Sequence, residues 1–151
     1  ICKLWDKGYY TTSLKSKQKE ILRLLEIKMG IFNNLYDGFT DLVVIEGYGF
    51  SSQRGHSLGE LGGVIKVMLK EEMPNTPILL VPPTVLKKFI TGKGNSDKSI
   101  MLLNIYKKYN VEFTNHNEAD AFALAKFGEM YLSSKKTKVN SEMCKKVILI
   151  K

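Results

Sequence analysis

Glu46 and Asp120 are the residues of this chain best placed to do chemistry. Glu46 closes the run Leu42-Val43-Val44-Ile45 and opens onto Gly47-Tyr48-Gly49-Phe50. Four apolar residues in a row read as a buried strand. A carboxylate at the end of such a strand is costly to desolvate unless something pairs with it, and a divalent cation is one such partner. Asp120 lies in Asn117-Glu118-Ala119-Asp120-Ala121-Phe122-Ala123-Leu124-Ala125. The helix dipole alone would favour an acid near the start of a helix. The small residues that follow allow that helix to sit close on a sheet. Two acids on separate elements of a lysine-rich chain suggest a metal-dependent enzyme acting on a phosphate polymer. Mg²⁺ binds through one or two carboxylates together with substrate phosphate and water. Two such ions, about 3.5–4 Å apart, would activate a water and stabilise the leaving oxygen. That scheme asks for three or four ligands. Asn117, one helical turn before Asp120, has the spacing of a third; Glu118 and His116 are the alternatives.

Lys87, Lys88, Lys93 and Lys98 gather around the glycine-bearing loop Thr91-Gly92-Lys93-Gly94-Asn95. Most lysines are solvated surface. Here the loop and two adjoining helix starts would also offer backbone N–H groups to phosphate. The spacing is not that of a P-loop. Tyr48 and Phe50, beside Glu46, suit either a core or stacking on an unpaired base. Arg54, one of two arginines, falls in the same polar loop and suits a phosphate contact. His56 has no nucleophile paired with it in the sequence.

The elements that must position these residues follow from periodicity. Ile1–Asp6 and Tyr9–Ser13 read as a hairpin around Asp6-Lys7-Gly8. Lys15 to Tyr36 reads as an amphipathic helix ended by Asp37-Gly38. A helix is expected from Leu58 to Glu71, with Gly59, Gly62 and Gly63 permitting close approach of another backbone. Ile78-Leu79-Leu80-Val81 is a second apolar strand, stopped by Pro82-Pro83. Thr84 is expected to cap a short helix to Phe89, and Ser96 to cap another to Tyr109. Val111-Glu112-Phe113 reads as a short strand and Glu118 to Tyr131 as the last strong helix. Strands alternating with helices imply an α/β layered fold.

The chain has 151 residues, enough for one domain with a core, and a formal net charge of +8. Between Lys135 and Lys151 stand six lysines and one acid, so residues 1–134 are expected to form the domain and 135–151 a mobile basic tail. Such a tail either solubilises or adds salt-sensitive phosphate contacts. No apolar run approaches the ~18 residues of a membrane span. Cys2 and Cys144 form no metal-binding pattern and read as reduced thiols of a cytoplasmic protein.

Taken together, these segments resemble the RuvC family of Holliday junction resolvases, in the RNase H-like superfamily, and more the phage-type branch. The matching pieces are Val44-Ile45-Glu46 with its aromatic loop, Leu58-Gly59-Glu60-Leu61-Gly62-Gly63, Val81-Pro82-Pro83-Thr84-Val85-Leu86-Lys87-Lys88, Gly92 to Ser99, and Ala119-Asp120-Ala121-Phe122-Ala123-Leu124-Ala125. The resemblance implies an RNase H-like mixed sheet flanked by helices. It implies a homodimer that binds four-way or branched DNA and nicks two strands with Mg²⁺, for which Mn²⁺ may substitute. It assigns Glu46 and Asp120 to the metal, places Asn117 where the family has an acid, and makes Lys87 or Lys88, and Lys98, DNA contacts. The junction-opening aromatic would fall on Tyr48 or Phe50, and the dimer contact on the helix after Leu58.

Relatives of this kind open with a strand carrying the first catalytic aspartate, whereas this chain opens, without Met, at the equivalent of the second strand. Asp6, at a hairpin tip, is not that acid. The expectation is an N-terminally incomplete sequence that folds poorly and does not cut by itself. Two other readings stand beside the resolvase: a non-catalytic RNase H-like DNA-binding module, and a related nuclease acting on RNA.

Overall fold

The computed structural model describes residues 1–5, 8–35, 40–47 and 55–151, with side chains from residue 59 onward in the last stretch. Asp6, Tyr48, Phe50 and Arg54, and the side chain of His56, therefore lie outside the description. Among the described residues, six helices and five strands form two small sheets.

Strands β1 (Cys2–Trp5) and β2 (Gly8–Thr11) make an antiparallel hairpin, in register from Cys2↔Thr11 to Trp5↔Gly8. Strand β3 (Val43–Glu46) runs parallel to β4 (Ile78–Val81), and β4 pairs antiparallel with β5 (Ile148–Ile150). The second sheet thus has the order β3-β4-β5. The hairpin and this sheet share no ladder among the described residues, but helix α5 (His116–Leu132) packs on both β1 and β3.

Alternation of side chains divides the three-stranded sheet into two faces. Leu42, Val44, Leu79 and Val81 face a core built from α3 (Pro83–Thr91), α4 (Lys98–Tyr109) and α5. Val43, Ile45, Ile78 and Leu80 face a second core built from α1 (Glu20–Leu35) and α2 (Gly55–Glu72). The result is a helix–sheet–helix sandwich. Phe122 and Phe127 are the largest fully buried side chains of the first core. Phe122 meets Tyr9 and Tyr109 edge-on at 5.1 and 5.5 Å between centroids, which ties the hairpin to the helical layer. At the far end Lys108 donates to the Phe89 carbonyl at 3.1 Å and lies over the Phe89 ring, joining α4 to α3. No described helix is long and apolar enough to cross a membrane.

Several sequence expectations are corrected. Helix α1 begins at Glu20 rather than Lys15. Residues 15–19 carry no apolar side chain to bury, and the Ser16 hydroxyl instead takes the Gln18 N–H and donates to the Glu26 carboxylate. Helix α3 starts on Pro83 at its first position, with no cap from Thr84. The N-cap position of α4 is Asp97, with no capping hydrogen bond from its side chain, and Ser96 turns inward and is buried. Val111–Phe113 forms no strand; Val111 and Phe113 pack into the core without a ladder, the Phe113 ring 5.3 Å from Phe122. The basic segment is no loose tail. Thr137 caps α6 (Lys138–Cys144) by accepting the Asn140 N–H, Met143 is buried in the first core, and β5 completes the sheet.

Candidate active site

Glu46 inherits its direction from the strand. Val44 faces α5, so Glu46, two residues on, faces the same side. The β3–β4 ladder runs to the Glu46↔Val81 pair and one bond beyond, where the Gly47 N–H donates to the Val81 carbonyl at 2.8 Å. Pro82 and Pro83 then turn the chain into α3. Glu46 therefore stands at the carboxyl end of two parallel strands, where open α/β sheets place their ligand sites.

There it lines an open pocket of about 240 Å³ with Pro83, Leu86, Lys87, Lys98, Met101, Asn117 and Asp120. Three helices begin at this pocket: α3 at Pro83, α4 at Lys98 and α5 one residue before Asn117. Each helix start carries a partial positive charge. Leu86 and Met101, both almost fully buried, form an apolar wall.

Both carboxylates hold their protons above the ordinary range. Partial desolvation raises the pKa of Glu46, and the like charge of Asp120 raises it further; Lys87 and Lys98 pull the other way. Desolvation also raises Asp120, against the opposing charges of Lys98, His116 and Lys87. Glu46 is nonetheless accessible to solvent at the pocket mouth and Asp120 half-buried, so an ion in solution can reach both. Two carboxylates and an amide oxygen are hard donors of the type Mg²⁺ accepts. Desolvation raises both acids and like charge raises Glu46 further, and a bound dication would offset both effects. Among the described residues, no group of three His, Cys, Asp or Glu side chains is placed to hold a metal.

The structure sorts the candidates for the third position. Asn117 lines the pocket, its N–H held at 2.9 Å by the Asn115 side chain that caps α5. His116 is exposed and close enough for its charge to act on Asp120. Glu118 is engaged elsewhere: it accepts from Thr11 Oγ1 at 3.0 Å, Ser13 Oγ at 3.2 Å and Asn115 Nδ2 at 3.1 Å. It ties α5 to the hairpin. The sequence signal was present, since Asn115-x-x-Glu118 has the spacing of a capping box; the partners on the hairpin were not legible.

Of the four lysines around the glycine loop, Lys87 and Lys98 line the pocket. Lys88 is exposed and close enough to α6 for its charge to act on Glu142. Lys93 is exposed on the loop itself. Tyr48, Phe50 and Arg54 fall outside the described residues. A feature missed by sequence reasoning is a pair of hydroxyls, Thr91 and Ser96, that brace this loop from within.

No protein-family model and no curated protein matches this sequence. Solved structures do. One of RuvC from Thermus thermophilus superposes with a TM-score of 0.60 at 20% identity, covering 78% of this chain and 71% of that one. Another, of T. thermophilus RuvC in complex with a Holliday junction substrate, gives a TM-score of 0.60 at 19% identity, over 78% and 72%. The chain has a RuvC-like α/β fold.

Proposed function

We propose that this chain is a nuclease domain that binds four-way or branched DNA and hydrolyses its phosphodiester bonds with Mg²⁺. The observation that carries the reading is the meeting of Glu46, Asp120, Asn117, Lys87 and Lys98 in one pocket at the strand ends of a RuvC-like fold. Its likeness to a RuvC complexed with a Holliday junction supports branched DNA as the substrate class. A homodimer and a function in recombination or repair are part of the same proposal.

Each residue has a task that its position allows. Glu46 and Asp120, with the Asn117 amide oxygen, would hold the cation, which when bound supplies charge stabilisation to phosphoryl oxygens and a more acidic water. Lys87 and Lys98 offset phosphate charge beside the acids. The three helix starts add fixed dipoles that favour the same anion. Leu86 and Met101 wall the pocket and exclude water on that side. Lys88 and Lys93, and by sequence Tyr48, Phe50 and Arg54, are proposed as further DNA contacts.

A second reading, a non-catalytic RNase H-like DNA-binding module, is favoured by the amide of Asn117 standing in the pocket beside the two acids, Glu46 and Asp120. One set of measurements separates the two. Binding of a labelled immobile four-way junction is compared with a linear duplex of the same length, and strand nicking is followed with and without Mg²⁺. Junction-selective binding, with Mg²⁺-dependent nicking that Glu46→Gln removes, establishes the nuclease. Selective binding with neither nicking nor any metal response establishes the binding module. Equal affinity for junction and duplex refutes both, and stronger competition by structured RNA redirects the substrate class.

A further inference from the structure

The loop between α3 and α4 is closed by two side-chain hydroxyls. Thr91 Oγ1 lies 2.8 Å from the Lys87 carbonyl, 2.9 Å from the Lys93 carbonyl, 2.7 Å from Ser96 Oγ and 3.2 Å from the Lys93 N–H. A threonine hydroxyl has one proton and two lone pairs. One assignment fills all three: Thr91 donates to the Lys87 carbonyl and accepts from the Lys93 N–H and the Ser96 hydroxyl. Ser96 also lies 3.0 Å from the Lys93 carbonyl, so its proton has two acceptors within reach. Ser96 is the one buried polar residue among those described. Leaving that buried hydroxyl without a partner would carry its full desolvation penalty, so the closed arrangement is strongly preferred.

What the buckle joins is specific. One end is the main chain of Lys87 itself. The other is Ser96, two residues before Lys98. Those are the two lysines that line the pocket with Glu46 and Asp120. The loop has little room to slide. Gly92 ends α3 in the left-handed region at φ 80°, and a β-carbon on Gly94 would stand 3.0 Å from the Thr84 carbonyl. A turn needing neither hydroxyl could connect two helices. This one holds two cation-bearing helix positions at a fixed spacing.

We propose that Thr91 and Ser96 are positioning residues that set Lys98 against Lys87, so that both meet phosphate at once. This rests on the reading of the two lysines as phosphate contacts. Neither hydroxyl touches DNA; they act through Lys98.

A thermodynamic cycle tests the idea, read as the affinity of the full chain for a labelled four-way junction in EDTA at about 0.1 M salt. Loss of one phosphate contact weakens binding about tenfold at that salt, and this is the expected effect of Lys98→Met. Thr91→Val keeps the shape and removes the hydroxyl; about fivefold weakening is expected. Thr91→Ser restores wild-type affinity. The Thr91→Val/Lys98→Met double variant binds within about twofold of Lys98→Met alone, because the hydroxyl has nothing left to position. Ser96→Ala run through the same cycle gives the same pattern, and it carries the test where thermal unfolding finds Thr91→Val poorly folded. Two independent losses that multiply to about fiftyfold, or Thr91→Val and Ser96→Ala binding like wild type, overturn the proposal. Lys98→Met binding like wild type removes the lysine reading itself, and the proposal with it.

Discussion

Gly128 lies flat against Val44: a β-carbon at Gly128 would stand 2.7 Å from Val44 Cγ2. Helix α5 therefore approaches β3 at a distance that only glycine permits. Val44 is two residues from Glu46 on the same face of the strand. The contact thus sets how close Asp120, on the helix, comes to Glu46, on the sheet.

Gly128→Ala is expected to cost about 1–3 kcal/mol, the usual penalty of overpacking. The helix propensity gained, up to ~1 kcal/mol, does not offset it. Adding Val44→Ala should recover part of the loss. Urea unfolding of the three variants measures this, and full stability in Gly128→Ala alone would show that the helix shifts freely.

The raised pKa values of Glu46 and Asp120 make a signed prediction. Both carboxyls hold their protons more tightly folded than unfolded. The resulting penalty is absent below the ordinary carboxylate pKa, grows as pH climbs through it, and is complete above the raised folded pKa. Glu46→Gln or Asp120→Asn should therefore raise Tm at pH 7 and leave it unchanged near about pH 3, where both states are protonated. A Tm at pH 7 below that of the unmutated chain would contradict the desolvation penalty argued here.

Mg²⁺ should supply from outside what those substitutions supply from within. At a concentration about 100 times Kd, a ligand specific for the folded state adds about 2.7 kcal/mol, so a rise of several degrees in Tm at pH 7 is expected. Asp120→Asn should abolish it. An undiminished Mg²⁺ response in that variant would place the ion elsewhere.

Asn117 and Glu118 are adjacent and should behave oppositely. Glu118→Ala strands Thr11 and Ser13 and is expected to cost about 1–3 kcal/mol while keeping the Mg²⁺ response. Asn117→Ala should leave stability nearly unchanged and weaken the response. Calorimetric titration of both variants decides between them.

Met143→Ala tests whether the basic segment belongs to the core. A buried methionine reduced to alanine costs about 2–5 kcal/mol. A loose tail would show no change in its unfolding midpoint.

The layered fold was legible because Leu42–Ile45 and Ile78–Val81 are uninterrupted apolar runs between helical periodicities, a pattern that suits buried strands covered on both faces. Glu46 and Asp120 could be singled out for a related reason: each interrupts an apolar element where burial makes a charge expensive. The parts that were missed all depend on distant partners. Nothing local in Ile148–Ile150 names β4 as its neighbour. Val111 and Phe113 look like strand residues because core packing rewards the same side chains. Glu118 resembled a spare ligand until Thr11 and Ser13 arrived from the hairpin. Local rules also misplaced two caps, since Thr84 yields to Pro83, and Ser96 is drawn inward by Thr91.

The position of β5 in the sheet has a consequence for biosynthesis. β3 can pair with β4 once residue 81 has emerged, but the other edge of β4 waits for residues 148–150. Throughout the interval the nascent chain displays Ile78-Leu79-Leu80-Val81 along an open edge, a short run of high β-propensity without charge. A pause in translation between these points would lengthen that exposure, and holdase chaperones would be expected to engage the chain there rather than after release.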